Sequence, residues 1–217
     1  MTTTLRDITL QCPICATWFA SRAVAESGAV AGTRTDFHRR IDEPQPLAYE
    51  VHMCSGCGFA ALEEEFGTDD VSTQSVGGPP SDRGSLATCQ TIVASEKYEA
   101  AAAIADRRGA GPRAVADLLV RAAWCCVDEG DVEAERYFRR KAAGALESAL
   151  SRYDEVPRDE RAVLTYLVGE LWRRVGDAAR AAAWFERVGE EVSDPRAQCW
   201  IVALALQQRN RPREWLI

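Results

Sequence analysis

The sequence predicts an α+β chain: a small β-rich head over residues 1–66, a linker over 67–86, and an all-α array over 87–217. Three observations predict this plan. Two C-x-x-C pairs, Cys12-Pro13-Ile14-Cys15 and Cys54-Ser55-Gly56-Cys57, fall in the first third of the chain. A stretch of Gly, Pro, Ser, Thr and Asp follows them, with little to bury and many breakers. Beyond Ser85 the residues are rich in Ala, Leu, Arg and Glu, and apolar positions recur at helical spacing.

The composition bounds the function. Of the 217 residues, 47% are hydrophobic and 27% charged, as in an ordinary globular protein. No run approaches the ~18 apolar residues of a membrane span. The start, Met1 to Asp7, has no basic leader before an apolar core, so the expected compartment is the reducing cytoplasm. There, paired cysteines point to a metal and not to disulfides. The net charge of −7 removes the simplest argument for nucleic acid, a phosphate-neutralising surface.

In the head, Cys12, Cys15, Cys54 and Cys57 are the candidate metal ligands. Two cysteines three apart can turn both sulfurs inward on one tight turn, offering two corners of a tetrahedron, and the second pair supplies the other two. Gly58 permits the left-handed backbone such a turn often ends on. Four sulfurs leave no open position, which favours structural zinc over a catalytic ion. Iron in the same cage, serving electron transfer as in rubredoxin, is the alternative. Thr9–Gln11 and Thr17–Ala20 read as strands flanking the first knuckle. Leu47 to Met53 alternates apolar and polar residues, which predicts a half-buried strand feeding the second knuckle. Strand, knuckle, strand, twice over, is the plan of a zinc ribbon. So small a unit holds ~3–5 kcal/mol of core, whereas a structural zinc contributes ~10–16 kcal/mol, so the metal is expected to decide whether the head folds.

Helices are expected near 88–107, 112–128, 131–153, 158–175, 177–190 and 195–209. Val115, Leu118, Leu119, Ala122 and Cys126 share one face, and Leu164, Leu167, Val168, Leu171 and Val175 repeat the spacing. Gly109 to Pro112, Gly130-Asp131, Pro157 and Gly176-Asp177 mark turns, and Asp194-Pro195 marks a helix start. The two Gly-Asp turns belong to an internal echo. Val168-Gly169, Trp172, Gly176-Asp177, Ala181 and Phe185 resemble a tetratricopeptide repeat in order and spacing, while the copy around Trp124 is degenerate and the repeat is longer than the usual ~34 residues. A short tetratricopeptide-like array is expected.

Taken together, Cys12 to Cys15, Arg34-Thr35-Asp36-Phe37, Pro46 to Val51 and Cys54 to Ala61 resemble a family of uncharacterised bacterial proteins, domain of unknown function 2225. Ser55 stands where that family often has Pro. The resemblance implies this architecture and no reaction.

His52 alternates away from Val51 and Met53, which places it on an exposed strand face; a role beside the metal is the sharper reading. Arg34, Asp36, His38, Arg39 and Arg40 form a polar cluster, read as a solvated loop or as an anion or partner contact. Cys126, Cys89 and Cys199 read as packing residues, with Cys125 pointing to a different helix face from Cys126, and Trp124, Trp172, Trp184 and Trp200 read as core or inter-repeat packing. Glu63-Glu64-Glu65 reads as a solvated end to the ribbon. No nucleophile elbow, phosphate loop or His-Glu-x-x-His arrangement is present.

The expected function is therefore a non-catalytic scaffold or adaptor, with structural zinc in the head and a protein or peptide partner on the helical surface. Nucleic-acid binding through the ribbon is the alternative, but residues 1–66 carry five Arg and no Lys against nine Asp plus Glu. An enzyme or redox protein using the metal site, Asp36, His38 or His52 is the third reading.

Overall fold

Each C-x-x-C pair forms the tip of an antiparallel hairpin in the structure, a computed structural model that describes residues 2–68 and 92–216. Strand β1 (Thr4–Gln11) pairs with β2 (Trp18–Glu26) around the first knuckle, with Leu10 opposite Phe19. Strand β3 (Val30–Arg34) turns into β4 (Arg39–Ile41) through a tight bend in which the Arg34 amide donates to the His38 carbonyl, 2.8 Å. Strands β5 (Val51–Met53) and β6 (Ala60–Leu62) flank the second knuckle, and β7 (Gly67–Thr68) returns to the end of β1. Leu10, Phe19, Phe59, Ala61 and Phe66 bury themselves around Cys12 and Cys54. Phe66 meets Phe19 and Phe59 edge to face, at 5.5 and 5.2 Å.

The strand expected over Leu47–Met53 is shorter than the alternation implied. Pro46–Tyr49 is a 3-10 turn, and only Val51–Met53 is extended. Proline at the start of that turn suits its fixed φ. The turn's carbonyls are used elsewhere: Leu47 accepts from the Tyr98 hydroxyl (2.9 Å) and Ala48 from Lys97 Nζ (3.2 Å). Of the expected linker, Gly67 and Thr68 form β7. The remainder, with Cys89 and the first residues of the expected first helix, lies outside the described residues.

Helices α1 (Ala94–Arg107), α2 (Pro112–Glu129), α3 (Val132–Ser151), α4 (Arg161–Arg174), α5 (Ala178–Arg187) and α6 (Pro195–Asn210) pack consecutively, each against the next. Both Gly-Asp junctions use the same chemistry. Gly130 and Gly176 take positive φ (77° and 89°) and close the preceding helix. Asp131 and Asp177 then cap the next one, accepting from the amides of Ala134 (2.9 Å) and Arg180 (3.0 Å). Asp194 caps α6 in the same way, before Pro195. Gly169 is needed for close approach: a Cβ there would lie 2.7 Å from the Phe185 ring of α5. The apolar core runs from Tyr98 to Ala205 and takes in Val51 and Ala60 of the second hairpin, because that hairpin packs on α1. A last strand, β8 (Trp215–Leu216), returns to pair with β3. Among the described residues, no helix is long and apolar enough to cross a membrane.

Candidate metal centre and the buried ionic junction

The two knuckles are built alike. In the first, the Cys12 amide donates to the Thr17 carbonyl (3.0 Å) and the Ala16 amide to the Cys12 carbonyl (2.9 Å). In the second, the Cys54 amide donates to Phe59 (2.8 Å) and the Gly58 amide to Cys54 (2.9 Å). Gly58 and Ala16 hold equivalent left-handed positions, with φ of 73° and 57°. The Gly56 amide also donates to Cys54 Sγ at 3.3 Å. The knuckles touch where a Cβ on Gly56 would come 2.8 Å from Thr17 Oγ1.

This pairing brings the four predicted ligands together. The sulfurs of Cys12, Cys15, Cys54 and Cys57 all lie within 4.8 Å of one another. Cys12 stands 3.6 Å from Cys57, and Cys15 stands 3.6 Å from Cys54. A tetrahedron with ~2.3 Å metal–sulfur bonds has sulfur–sulfur edges of about 3.8 Å, so the cage fits an ion of that class. The separations are far beyond the ~2.05 Å of a disulfide. Cys12 and Cys54 are buried, Cys15 and Cys57 exposed.

The thiols are unequal without an ion. Hydrogen bonds from Thr17, whose hydroxyl lies 3.2 Å away, hold Cys15 down at about 6. At Cys57 the Phe59 amide pulls downward, but desolvation and the neighbouring sulfurs prevail and push it up to about 12. Burial raises Cys54 as well. Four thiolates in one cage repel, and a divalent cation is what would remove that cost.

His52 is not exposed. It is 1% accessible, beneath the metal cage's hairpin, with Nδ1 2.8 Å from Ser21 Oγ and the ring edge-on to Phe66. Burial lowers its pKa to about 4, so the ring is neutral. Alternation misplaced it because the hairpin is covered on both faces, by β2 on one and α1 on the other.

Asp36 and His38, at the centre of the polar cluster expected as a solvated loop, are buried. The β3–β4 bend inserts Thr35, Asp36 and His38 among the helices, at 0, 0 and 2% exposure. Asp36 meets Arg139 of α3 at 2.8 Å, Arg174 of α4 at 3.5 Å and Arg34 at 3.8 Å. Burial alone would raise its pKa, but the Arg139 and Arg174 guanidiniums outweigh burial and hold it down at about 2. Glu170, fully buried on α4, binds Arg173 (2.7 Å), Arg174 (2.8 Å) and the Thr35 hydroxyl (2.7 Å). The Tyr166 hydroxyl donates to the Thr35 carbonyl at 2.8 Å. His38 stacks on Trp124, with Nε2 3.3 Å from Asp128. Asp36 and His38 therefore hold the head to the array, and they do not line an open site. Sequence reading missed Arg139, Glu170 and Arg174. The available signal was Glu170, a charge inside the apolar run Leu164–Leu171.

Elsewhere, Cys126 is buried as expected, Cys125 on the neighbouring face is buried too, and burial raises both thiols, Cys126 to about 11. Cys199 and Trp200 depart from the packing role: both are exposed on α6, because the face they occupy has no further helix against it among the described residues. Glu63 and Glu65 are tied to Arg6 (2.7 Å) and Arg108 (2.9 Å), while Glu64 is exposed. Arg34 is engaged with Asp36 and Glu214, leaving Arg39 and Arg40 exposed on β4.

Residues 5–210 match a family model described as an uncharacterized protein conserved in bacteria (DUF2225). No curated protein and no solved structure matches this chain.

Proposed function

We propose that this chain, which belongs to the DUF2225 family of uncharacterized proteins conserved in bacteria, is a zinc-binding, non-catalytic interaction scaffold of the cytoplasm. Residues 1–66 act as a zinc-ribbon-like metal-binding domain, residues 67–86 as a linker, and residues 87–217 as a tetratricopeptide-like array that takes a protein or peptide partner. The observation that carries the reading is the convergence of four sulfurs into a cage of tetrahedral dimensions. A full set of thiolates leaves no position for a substrate or an activated water, so the ion's role is to hold two hairpin tips together. A partner-binding role for the array is supported by its uncovered apolar side chains, Val132 and Tyr137 on α3 and Trp200, Val202 and Leu206 on α6.

Elemental analysis of the purified protein tests the metal. One zinc per chain and a colourless solution are expected; a red, iron-loaded protein would replace the reading with electron transfer. Capture from cell extract tests the partner. A reproducible protein partner that survives moderate salt is expected, and nucleic acid released steeply by salt would redirect the reading to the ribbon.

A further inference from the structure

Four guanidiniums meet at the junction between head and array: Arg34, Arg139, Arg173 and Arg174. Asp36, Glu170 and Glu135 bring three carboxylates to them, Glu135 binding Arg139 at 2.7 Å. The fourth carboxylate is Glu214, from the segment that follows α6. It reaches Arg174 at 2.8 Å, Arg34 at 3.2 Å and Arg173 at 3.5 Å. The arginines pull its pKa down against the burial that would raise it. Next to it, Trp215 and Leu216 add a two-residue strand to β3, with Trp215 opposite Arg34 and Leu216 opposite Thr33. The Thr35 amide donates to the Glu214 carbonyl (3.0 Å), and the Thr35 hydroxyl lies 3.1 Å from the Arg213 carbonyl. The Trp215 ring covers Gly32, where a Cβ would come within 3.3 Å of it, and lies 5.8 Å from the Arg34 guanidinium.

The two sides of this contact are unequal. The receiving side is buried and braced: Arg174 is 5% exposed, Thr35 and Glu170 are fully buried, and Gln208 holds the segment's Arg213 through both its amide and its carbonyl. The occupant is short and solvent-facing: Arg211 to Trp215 are all exposed, the Glu214 side chain is 54% exposed, and the pairing extends over two residues. An edge strand beside a guanidinium cluster is how sheets receive extended peptides by strand addition. Removing Glu214 leaves the four guanidiniums with three carboxylates, one counter-charge short, a deficit that another carboxylate would fill.

We infer that the β3 edge and the Arg34–Arg173–Arg174 cluster form a peptide slot, filled in this structure by residues 213–216, that receives an extended partner segment of the pattern Glu-aromatic-aliphatic in their place. The partner's carboxylate takes the three guanidiniums, its aromatic ring lies over Gly32, and its backbone pairs with Thr33 and Arg34. This deepens the scaffold reading by naming one partner chemistry, but it stands on the ionic junction; its failure leaves capture on the helical faces untouched.

The test uses the full chain and a synthetic peptide of residues 211–217. The double variant Glu214→Gln/Trp215→Ala weakens the resident segment and leaves the slot intact. Calorimetry is expected to show the peptide binding this variant about tenfold more tightly than the unaltered chain, with affinity falling as salt rises. The same peptide carrying Gln for Glu is expected to lose most of the binding. A folded double variant that ignores the peptide, or that binds both peptides equally, overturns the inference. A dimer that forms through exchanged tails and disappears in the double variant assigns the slot to a second copy and overturns it too. Should the double variant not fold, hydrogen exchange on the unaltered chain decides. Amides of residues 215–216 are expected to exchange at least about a hundredfold faster than those of α4, and equal protection overturns the inference.

Discussion

In the head, the buried apolar set is Leu10, Phe19, Phe59, Ala61 and Phe66, gathered around two of the four cage cysteines. In the array, it runs through six helices from Tyr98 to Ala205. The array can stand on apolar burial, since each helix covers its neighbour. The head has far less to bury, and its two knuckles meet where four sulfurs converge, so an ion there is expected to decide its stability. Between the two lies a third kind of contact, the ionic bend of Asp36, made of charges that attract only if all remain paired. The comparison teaches that the three zones should fail under different insults.

The largest effect is expected at the cage. Cys54→Ser should abolish stoichiometric metal and remove most of the ~10–16 kcal/mol a structural zinc supplies. Proteolysis should then cut within residues 2–68, while far-UV circular dichroism keeps its helical signal. Equal loss of both zones would break the contrast. Next comes the bend: Asp36→Ala leaves Arg139 and Arg174 with Glu135, Glu170 and Glu214 but one buried counter-charge short, and should cost up to about 3–5 kcal/mol in chemical denaturation, with the metal content unchanged.

Acid sharpens the same point. Asp36 is depressed from an ordinary 3.8 to about 2, so its contribution is complete above about pH 4 and is lost as pH falls from there towards 2. The stability gap between the unaltered chain and Asp36→Asn should therefore narrow by about 2 kcal/mol across that window, and a constant gap would contradict the assignment. Within the array, Gly169→Ala pushes a methyl group against Phe185 and should cost about 1–3 kcal/mol in thermal or urea unfolding, with no change in metal binding. The smallest effects probe the knuckles as a pair. Ala16→Gly should relax a left-handed alanine and stabilise the head by up to about 1 kcal/mol, while Gly58→Ala should cost a similar amount. Opposite signs, read from chelator concentration at half-release, would confirm their equivalence.

Much of this was legible beforehand. The four converging cysteines, the helices of the described residues and the Gly-Asp junctions were readable because each rests on local chemistry: a tight turn for two sulfurs, a 3.6-residue period, an αL glycine followed by a capping aspartate. His52 and the Leu47–Met53 strand were misread because alternation assumes one wet face, and that hairpin has none. Asp36, His38, Arg139 and Glu170 look on paper like solvated charges.

By itself, then, the order of residues determined the periodic and the locally closed: helices, their caps, and two cysteine knuckles. Only the tertiary structure decided which charges leave water. A carboxylate can be buried only where guanidiniums from distant segments arrive together, as Arg139 and Arg174 do at Asp36. That meeting depends on chain topology, which no local pattern encodes.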